Sequence, residues 1–292
     1  MGKTAGSASL AVVILMLASG PAGARQQIKD GSTQIGDIRM HYLESGSGDR
    51  ALVFVPGLTM TAVVWQEQFP YFAARGFRVI AIDPRSHGTT SKTDEGNTYH
   101  QQAADLHAFL QKMKIDHPTL IGWSEGVTVL LEYYSGAETY KPDRLVLVDG
   151  APAGLSDKDH PGGLTLQQAR EAALAMQEDR PKAAEAVVRA MFKSAMPGWL
   201  LAQLIAGSQK TATGTAVALL FDLITGDRRQ VLAQIDVPTL IVVPQERQLL
   251  GEYLQGKITG SRLQVIPGAG HALFLEKPQA FNQALEDFLG NK

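Results

Sequence analysis

Short apolar runs alternate along this chain with segments in which apolar positions recur every three or four residues. The runs at Arg39–Glu44, Ala51–Val55, Arg78–Ile82, Thr119–Gly122, Arg144–Asp149, Thr239–Val243 and Arg262–Ile266 predict strands. Most are continuous in β-branched residues or Leu, the pattern of parallel strands covered on both faces. Between them lie helical segments. Thr98 is placed to cap a helix whose Tyr99, Ala103, Leu106, Leu110 and Met113 share one face. A second helix begins just after Ser124. A last one, from Leu273 to Leu289, is expected to bury Phe274, Phe281, Leu285 and Leu289 while Glu286 and Asp287 face solvent. Strand–helix alternation of this kind predicts an α/β fold with a mostly parallel, doubly wound sheet.

One stretch breaks the alternation. Residues 151–233 contain no convincing strand and read as helical text rich in Ala, Leu and Met. This predicts a helical cap inserted into a core formed by residues 25–150 and 234–292. Met176, Met191, Phe192, Met196, Trp199, Leu200 and Leu204 admit two readings: an apolar substrate pocket, or the packing of the cap itself.

Composition narrows the compartment and the class. With 292 residues, 45% hydrophobic and 19% charged, the chain can build one large core with a subdomain. A net charge of −2 and the lack of any Lys/Arg run argue against a nucleic-acid partner, which needs a basic face. Residues 1–24 read as a signal peptide. Lys3 supplies the positive end, Leu10 to Leu17 the apolar stretch, and Ala22-Gly23-Ala24 the cleavage pattern. Cleavage after Ala24 would leave Arg25-Gln26-Gln27 at the new terminus of a periplasmic or secreted protein with no membrane attachment; an uncleaved anchor is the other reading. The chain has no Cys, hence no lipid-modified Cys, no disulfide and no thiolate metal site.

The chemistry concentrates in two places. Gly122-Trp123-Ser124-Glu125-Gly126 follows the strand text Thr119-Leu120-Ile121 and opens the helical run Val127–Leu131. A serine at such a turn sits in strained backbone, flanked by glycines that allow close approach, with the positive end of a helix behind it. His271 lies in Pro267-Gly268-Ala269-Gly270-His271, between the last strand and the last helix. Of seven histidines it alone occupies such a loop after Ser124. Catalytic groups gather at that edge of open α/β sheets. His87, on the loop after Ile80-Ala81-Ile82, is the rival.

Taken together, these segments resemble the α/β-hydrolase superfamily in its lid-bearing, esterase-like branch, over about Ile38 to Leu289. The markers are Pro56-Gly57 after an early strand, Asp83-Pro84-Arg85-Ser86-His87-Gly88 on the next loop, the turn at Ser124, Pro238–Val242 leading a late strand, and Gly270-His271. The resemblance implies that Ser124 is a nucleophile and His271 its general base. His87 precedes the nucleophile, an order that does not suit this architecture. The backbone N–H groups of Leu58 and Glu125 would form the oxyanion hole. Arg85 is expected to brace the turn at Ser124. Two departures stand out. Pro56 replaces a frequent His, and Arg247 stands where the family's late-strand turn carries Asp. The triad acid is then Asp149, at a position used by certain haloalkane dehalogenases, or Glu246.

The function implied is hydrolysis of a small-molecule carboxylic ester or lactone, with an apolar acyl or alcohol group, through an acyl-enzyme. Prolyl-type aminopeptidases, cofactor-free haloperoxidases or perhydrolases, and C–C bond hydrolases share the scaffold. For an aminopeptidase, the cap carboxylates Glu171, Glu178, Asp179 and Glu185 show no convergent spacing. Dehalogenase and epoxide hydrolase chemistry requires a carboxylate where Ser124 stands. A ligand-binding protein with a degenerate triad is the non-enzymatic reading. No metal site and no cofactor are implied by any motif.

Overall fold

The computed structural model describes residues 27–136, 141–160 and 162–290. The segment read as a signal peptide lies outside them. The elements run in the order β1 (Lys29–Ile35), β2 (Ile38–Ser45), β3 (Arg50–Val55), α1 (Gln68–Ala73), β4 (Phe77–Ile82), α2 (Tyr99–Lys112), β5 (Thr119–Trp123), α3 (Glu125–Gly136) and β6 (Arg144–Val148). After these come α4 (Leu166–Glu178), α5 (Arg180–Ala190), α6 (Gly198–Gln209), α7 (Thr213–Thr225) and α8 (Arg229–Leu232). The chain ends with β7 (Thr239–Pro244), α9 (Gln248–Lys257), β8 (Arg262–Ile266), α10 (Leu273–Glu276) and α11 (Pro278–Leu289).

Eight strands form one sheet in the order β1-β2-β4-β3-β5-β6-β7-β8. β1 and β2 are antiparallel to each other, and β2 is antiparallel to β4. From β4 to β8 every pairing is parallel. Side chains alternate across the parallel strands. Val53, Ile80, Leu120, Leu145 and Ile241 point to the face covered by α2, α3 and α9. Their neighbours Leu52, Phe54, Val79, Val146 and Val242 point to the face covered by α1, α10 and α11. Both faces are dry, which is why the strand text is continuously apolar. The chain order reverses direction between β3 and β5, so their C-terminal ends diverge into a crevice where an open α/β sheet places its ligands.

Two local differences from the sequence expectation have simple causes. β1 is an additional strand without an apolar pattern, since Lys-Asp-Gly-Ser-Thr-Gln-Ile carries a single large apolar residue; it is an edge strand, joined to β2 through Gly36 at a φ of 51°. The expected helix from Leu273 to Leu289 is two helices. Pro278 has no N–H to donate and excludes helical geometry from the residue before it, so Lys277 sits at φ −129°, ψ 58°. Glu286, expected at the solvated side, bonds Tyr71 Oη and Arg75 Nε.

Between β6 and β7 the described residues hold five helices and only isolated bridges. α4 to α7 arch over the C-terminal edge of the sheet. Met176, Met191, Leu200 and Leu204 are buried there, Phe192 and Met196 are partly buried, and Trp199 is exposed. Polar ties fasten this layer to the core, among them the following. Asp222 of α7 accepts from Tyr99 N at 2.7 Å, Ser208 of α6 bonds Thr59 Oγ1 at 2.8 Å, and Ala272 N donates to Met191 O at 3.0 Å. Among the described residues no helix is long and apolar enough to cross a membrane.

Candidate active site

Ser124 follows β5 directly and precedes the first residue of α3. Its φ is 56°, left-handed for a residue with a side chain. The turn is held by Ser124 N donating to Val148 O and Val127 N donating to Ser124 O, both at 2.9 Å. Two glycines make it possible. A Cβ on Gly122 would lie 2.5 Å from Gly126 O, and one on Gly126 would lie 2.4 Å from Val55 O, so neither position accepts a side chain. The hydroxyl is thereby lifted off the sheet's edge in front of the α3 N-terminus.

His271 arrives on the loop after β8. Its Nε2 lies 2.8 Å from Ser124 Oγ and its Nδ1 lies 2.6 Å from Asp149 Oδ2. Asp149 ends the neighbouring strand β6, also with a left-handed φ of 44°, and its amide donates to Val242 O at 2.9 Å. The other Asp149 oxygen accepts from Arg247 Nε at 3.1 Å, while Arg247 Nη2 donates to Gly162 O. Of the two carboxylates left open by the sequence, Asp149 is therefore the one brought to the imidazole. Glu246 is exposed and paired with Lys193, with no bond to the imidazole. The arginine that displaced the expected late-strand acid now partners the acid one strand over.

The histidine loop is fixed from two sides. Trp123 Nε1 donates to His271 O at 3.0 Å, and the two rings pack with centroids 5.0 Å apart. Glu276 collects the amides of Gly270, Lys193 and Ser194 and the Ser194 hydroxyl. Burial opposes its ionisation, but these bonds outweigh burial and hold its carboxyl below the usual range.

The loop after β3 departs from expectation in one respect. Leu58 N donates at 3.0 Å to Glu125 Oε2, so one of the two amides assigned to the oxyanion hole is engaged by the side chain of the residue that supplies the other. Thr59, at a φ of 61°, donates its amide to His87 Nε2 at 3.1 Å. His87 Nδ1 lies 2.8 Å from Arg85 O, which can only accept. The ring is thus the neutral Nδ1–H form, a strut between two loops. Burial pushes its pKa down to about 4. Arg85 does not brace the turn at Ser124. It forms a two-pronged pair with Asp105 of α2 and another with Asp37 between β1 and β2, and these hydrogen bonds raise its pKa. The roles of Arg247, Glu125 and Glu276 were not read from the sequence. Only Arg247 carried a signal, a cation at an expected acid.

Two cavities open on Ser124 and His271. One of about 580 Å³ runs past Asp149, Phe192, Glu246 and Arg247. The other, of about 390 Å³, passes Gly57, Leu58 and Thr59 and is walled by Met176, Ala183, Val187, Met191 and Leu220 from the cap. Glu171, Glu178, Asp179 and Glu185 line neither. Among the described residues no cluster of three or more His, Asp or Glu is arranged to hold a metal ion.

The profile of the alpha/beta hydrolase family matches residues 52–284. A 3-oxoadipate enol-lactonase from Acinetobacter baylyi is 28% identical over 86% of this chain and 92% of its own length. A non-heme chloroperoxidase from Kitasatospora aureofaciens is 24% identical over 86% of this chain and 96% of its own. In backbone, the chain is similar to an esterase from Exiguobacterium antarcticum with a TM-score of 0.84, covering 88% of this chain and 98% of the other at 24% identity.

The buried imidazole of His87 ties stability to pH. Its folded pKa of about 4 lies below the ordinary 6.5, so the unfolded chain binds the proton more readily. Its contribution is complete above pH 6.5 and is lost as pH falls toward 4, by about 3 kcal/mol. Urea midpoints should therefore drop between pH 6.5 and 4. His87→Gln, which keeps an acceptor for Thr59 N–H, should flatten that part of the curve; parallel curves for the two proteins would contradict this assignment.

Proposed function

This chain belongs to the alpha/beta hydrolase family, and on that premise we propose that it is a serine hydrolase cleaving a carboxylic ester or lactone with an apolar acyl or alcohol group. The observation that carries the reading is the unbroken line Ser124 Oγ, His271 Nε2, His271 Nδ1, Asp149 Oδ2, with separations of 2.8 and 2.6 Å across the imidazole. Asp149 accepts the Nδ1 proton and leaves the Nε2 lone pair facing the hydroxyl. Ser124 Oγ attacks the acyl carbon as its proton passes to Nε2. The carbonyl oxygen becomes an oxyanion held by the Glu125 and Leu58 amides, once the Glu125 carboxylate has released the latter. The tetrahedral centre collapses, Nε2–H protonates the departing alkoxide, and the acyl group stays on Ser124. Water, deprotonated by the same nitrogen, then reverses the sequence and frees the acid.

Several features support an ester or lactone over an amide. An alkoxide leaves with less assistance than an amine, and the cap carboxylates that an aminopeptidase would aim at a substrate amine stay outside both cavities. The mostly apolar cap wall suits a hydrocarbon group. Among its relatives the chain counts a protein named as an enol-lactonase, and among its structural neighbours one named as an esterase.

A fluorophosphonate probe should label the folded protein once, at Ser124. Ser124→Ala should abolish labelling and lower kcat on p-nitrophenyl esters by about four to six orders of magnitude. Asp149→Asn should cost about 10⁴-fold, through the wrong imidazole tautomer. An unlabelled, folded wild type would instead identify a ligand-binding protein.

Glu125→Ala removes the acceptor that competes for Leu58 N–H. It should raise kcat/KM on a small neutral ester by about three- to tenfold; a fall of that size would mean that the carboxylate serves the reaction by holding the loop.

Export belongs to the same proposal, since residues 1–24 carry the signal-peptide pattern. The intact mass of protein from the cell envelope or medium should start at Arg25. A mass that includes residues 1–24 would overturn cleavage.

A further inference from the structure

The smaller cavity contains a charge that no carboxylate among the described residues neutralises. Arg180, the first residue of α5, lines it together with Ser124, His271 and the apolar cap wall. Its Nη2 donates to Ser208 O at 2.8 Å and more weakly to Ser208 Oγ at 3.3 Å, which ties the start of α5 to the end of α6. That contact uses one edge of the guanidinium. The Nε–H is buried and has no acceptor. Among the described residues no carboxylate lies within ion-pair distance of Arg180, although most other arginines of the core edge, such as Arg78, Arg85, Arg228 and Arg247, have one. Burial lowers its pKa, with no neighbouring anion to oppose the shift. The place is unfavourable on a second count, because the first turn of a helix repels a cation. Glu125, which also lines this cavity, gives its carboxylate oxygen to Leu58 N–H and makes no pair with Arg180.

A half-buried guanidinium with no carboxylate beside it, lining an otherwise apolar wall, is stabilised where a visiting anion pairs with it. We propose that Arg180 is a specificity residue that binds a carboxylate on the substrate, so that the preferred ester or lactone carries an anionic group at the far end of an apolar chain from its scissile bond. The inference rests on the reading of Ser124 and His271 as the hydrolytic centre. Arg180 acts there as a binding group for substrate and takes no part in the bond-breaking steps. Its contact with Ser208 is structural, and through the Ser208–Thr59 bond it also sets the distance between the anion site and the loop beside Ser124.

The test compares mono-p-nitrophenyl esters of glutarate, adipate and suberate with p-nitrophenyl pentanoate, hexanoate and octanoate, chain for chain. Wild type should prefer the anionic member at one chain length at least, and the ratio of kcat/KM values for that pair should fall by about tenfold or more in Arg180→Met. The loss should appear mainly in KM. Arg180→Lys, which keeps the charge, should restore part of the ratio and guards against a folding defect in the Met variant. A wild-type preference for the neutral member at every length, or a ratio unchanged by Arg180→Met, would overturn the proposal. Failure of the hydrolytic reading has a different signature: no ester of either series is turned over and Ser124 takes no fluorophosphonate. In that case calorimetric titration of wild type and Arg180→Met with adipate decides the anion site, with equal binding by the two proteins counting against it.

Discussion

Left-handed backbone at the C-terminal edge of the sheet is the constraint from which the site follows. Ser124, Asp149 and Thr59 all have positive φ and all carry side chains, at a cost of about 1–3 kcal/mol each. Each is held there by a bond from its own amide to something outside its turn. Ser124 N reaches Val148 O at the end of β6, Asp149 N reaches Val242 O in β7, and Thr59 N reaches the His87 ring. The strand ladder thus continues one residue beyond the strands and pins the turns that leave them. A serine or aspartate in ordinary extended geometry would continue along the sheet instead of rising above it. Strain held in this manner places the hydroxyl and carboxylate on either side of one imidazole with little freedom to drift.

Asp149 reaches His271 from the end of β6, while Arg247 stands after β7, where the resemblance implies an acid. The imidazole needs a carboxylate oxygen at Nδ1 and is indifferent to the strand that delivers it. Moving the acid from the end of β7 to the end of β6 leaves a vacated position close to the same carboxylate. A cation there takes the second oxygen, so the buried carboxylate has both oxygens engaged, one by His271 and one by Arg247. Removing a carboxylate from water is costly unless both oxygens find partners. Arg247 is therefore the partner that lets this carboxylate sit buried beside the imidazole.

What could be read in advance depended on whether a property is local. Parallel strands buried on both faces announce themselves as apolar runs, and the pairing of a glycine-flanked serine with a strand before it and a helix after it is likewise written in neighbouring residues. β1 is polar because it lies at an edge, and its pairing with β2 has no apolar signature. Pro278 signalled the break after α10, but the apolar spacing of Phe274, Phe281 and Leu285 runs across it. The choice between Asp149 and Glu246 was beyond local reading, since it turns on which side chain lies under the histidine loop. The same holds for Glu125. Its position next to Ser124 is plain in the sequence, whereas the reach of its carboxylate to Leu58 N–H depends on the separation of β3 from β5. The lack of a carboxylate partner, as at Arg180 among the described residues, is the least legible property of all, being a statement about many other residues at once.

The anchoring of the roof is uneven, and this has a mechanical outcome. Glu276 clasps the stretch after α5 to the histidine loop, Ser208 fastens α6 to Thr59, and Asp222 moors α7 to the start of α2. The hydrogen bonds of α4 run only within itself and its own cap, among the described residues, and its Leu166 and Leu174 stand in solvent. Displacing α6 would pull on the Thr59 loop, and displacing the stretch after α5 would pull on the histidine loop. α4 is held by packing instead, against α5 and α7, with Ala169 and Met176 buried. The roof is thereby coupled to the parts around the imidazole through its later helices, and its first helix answers to them through its neighbours.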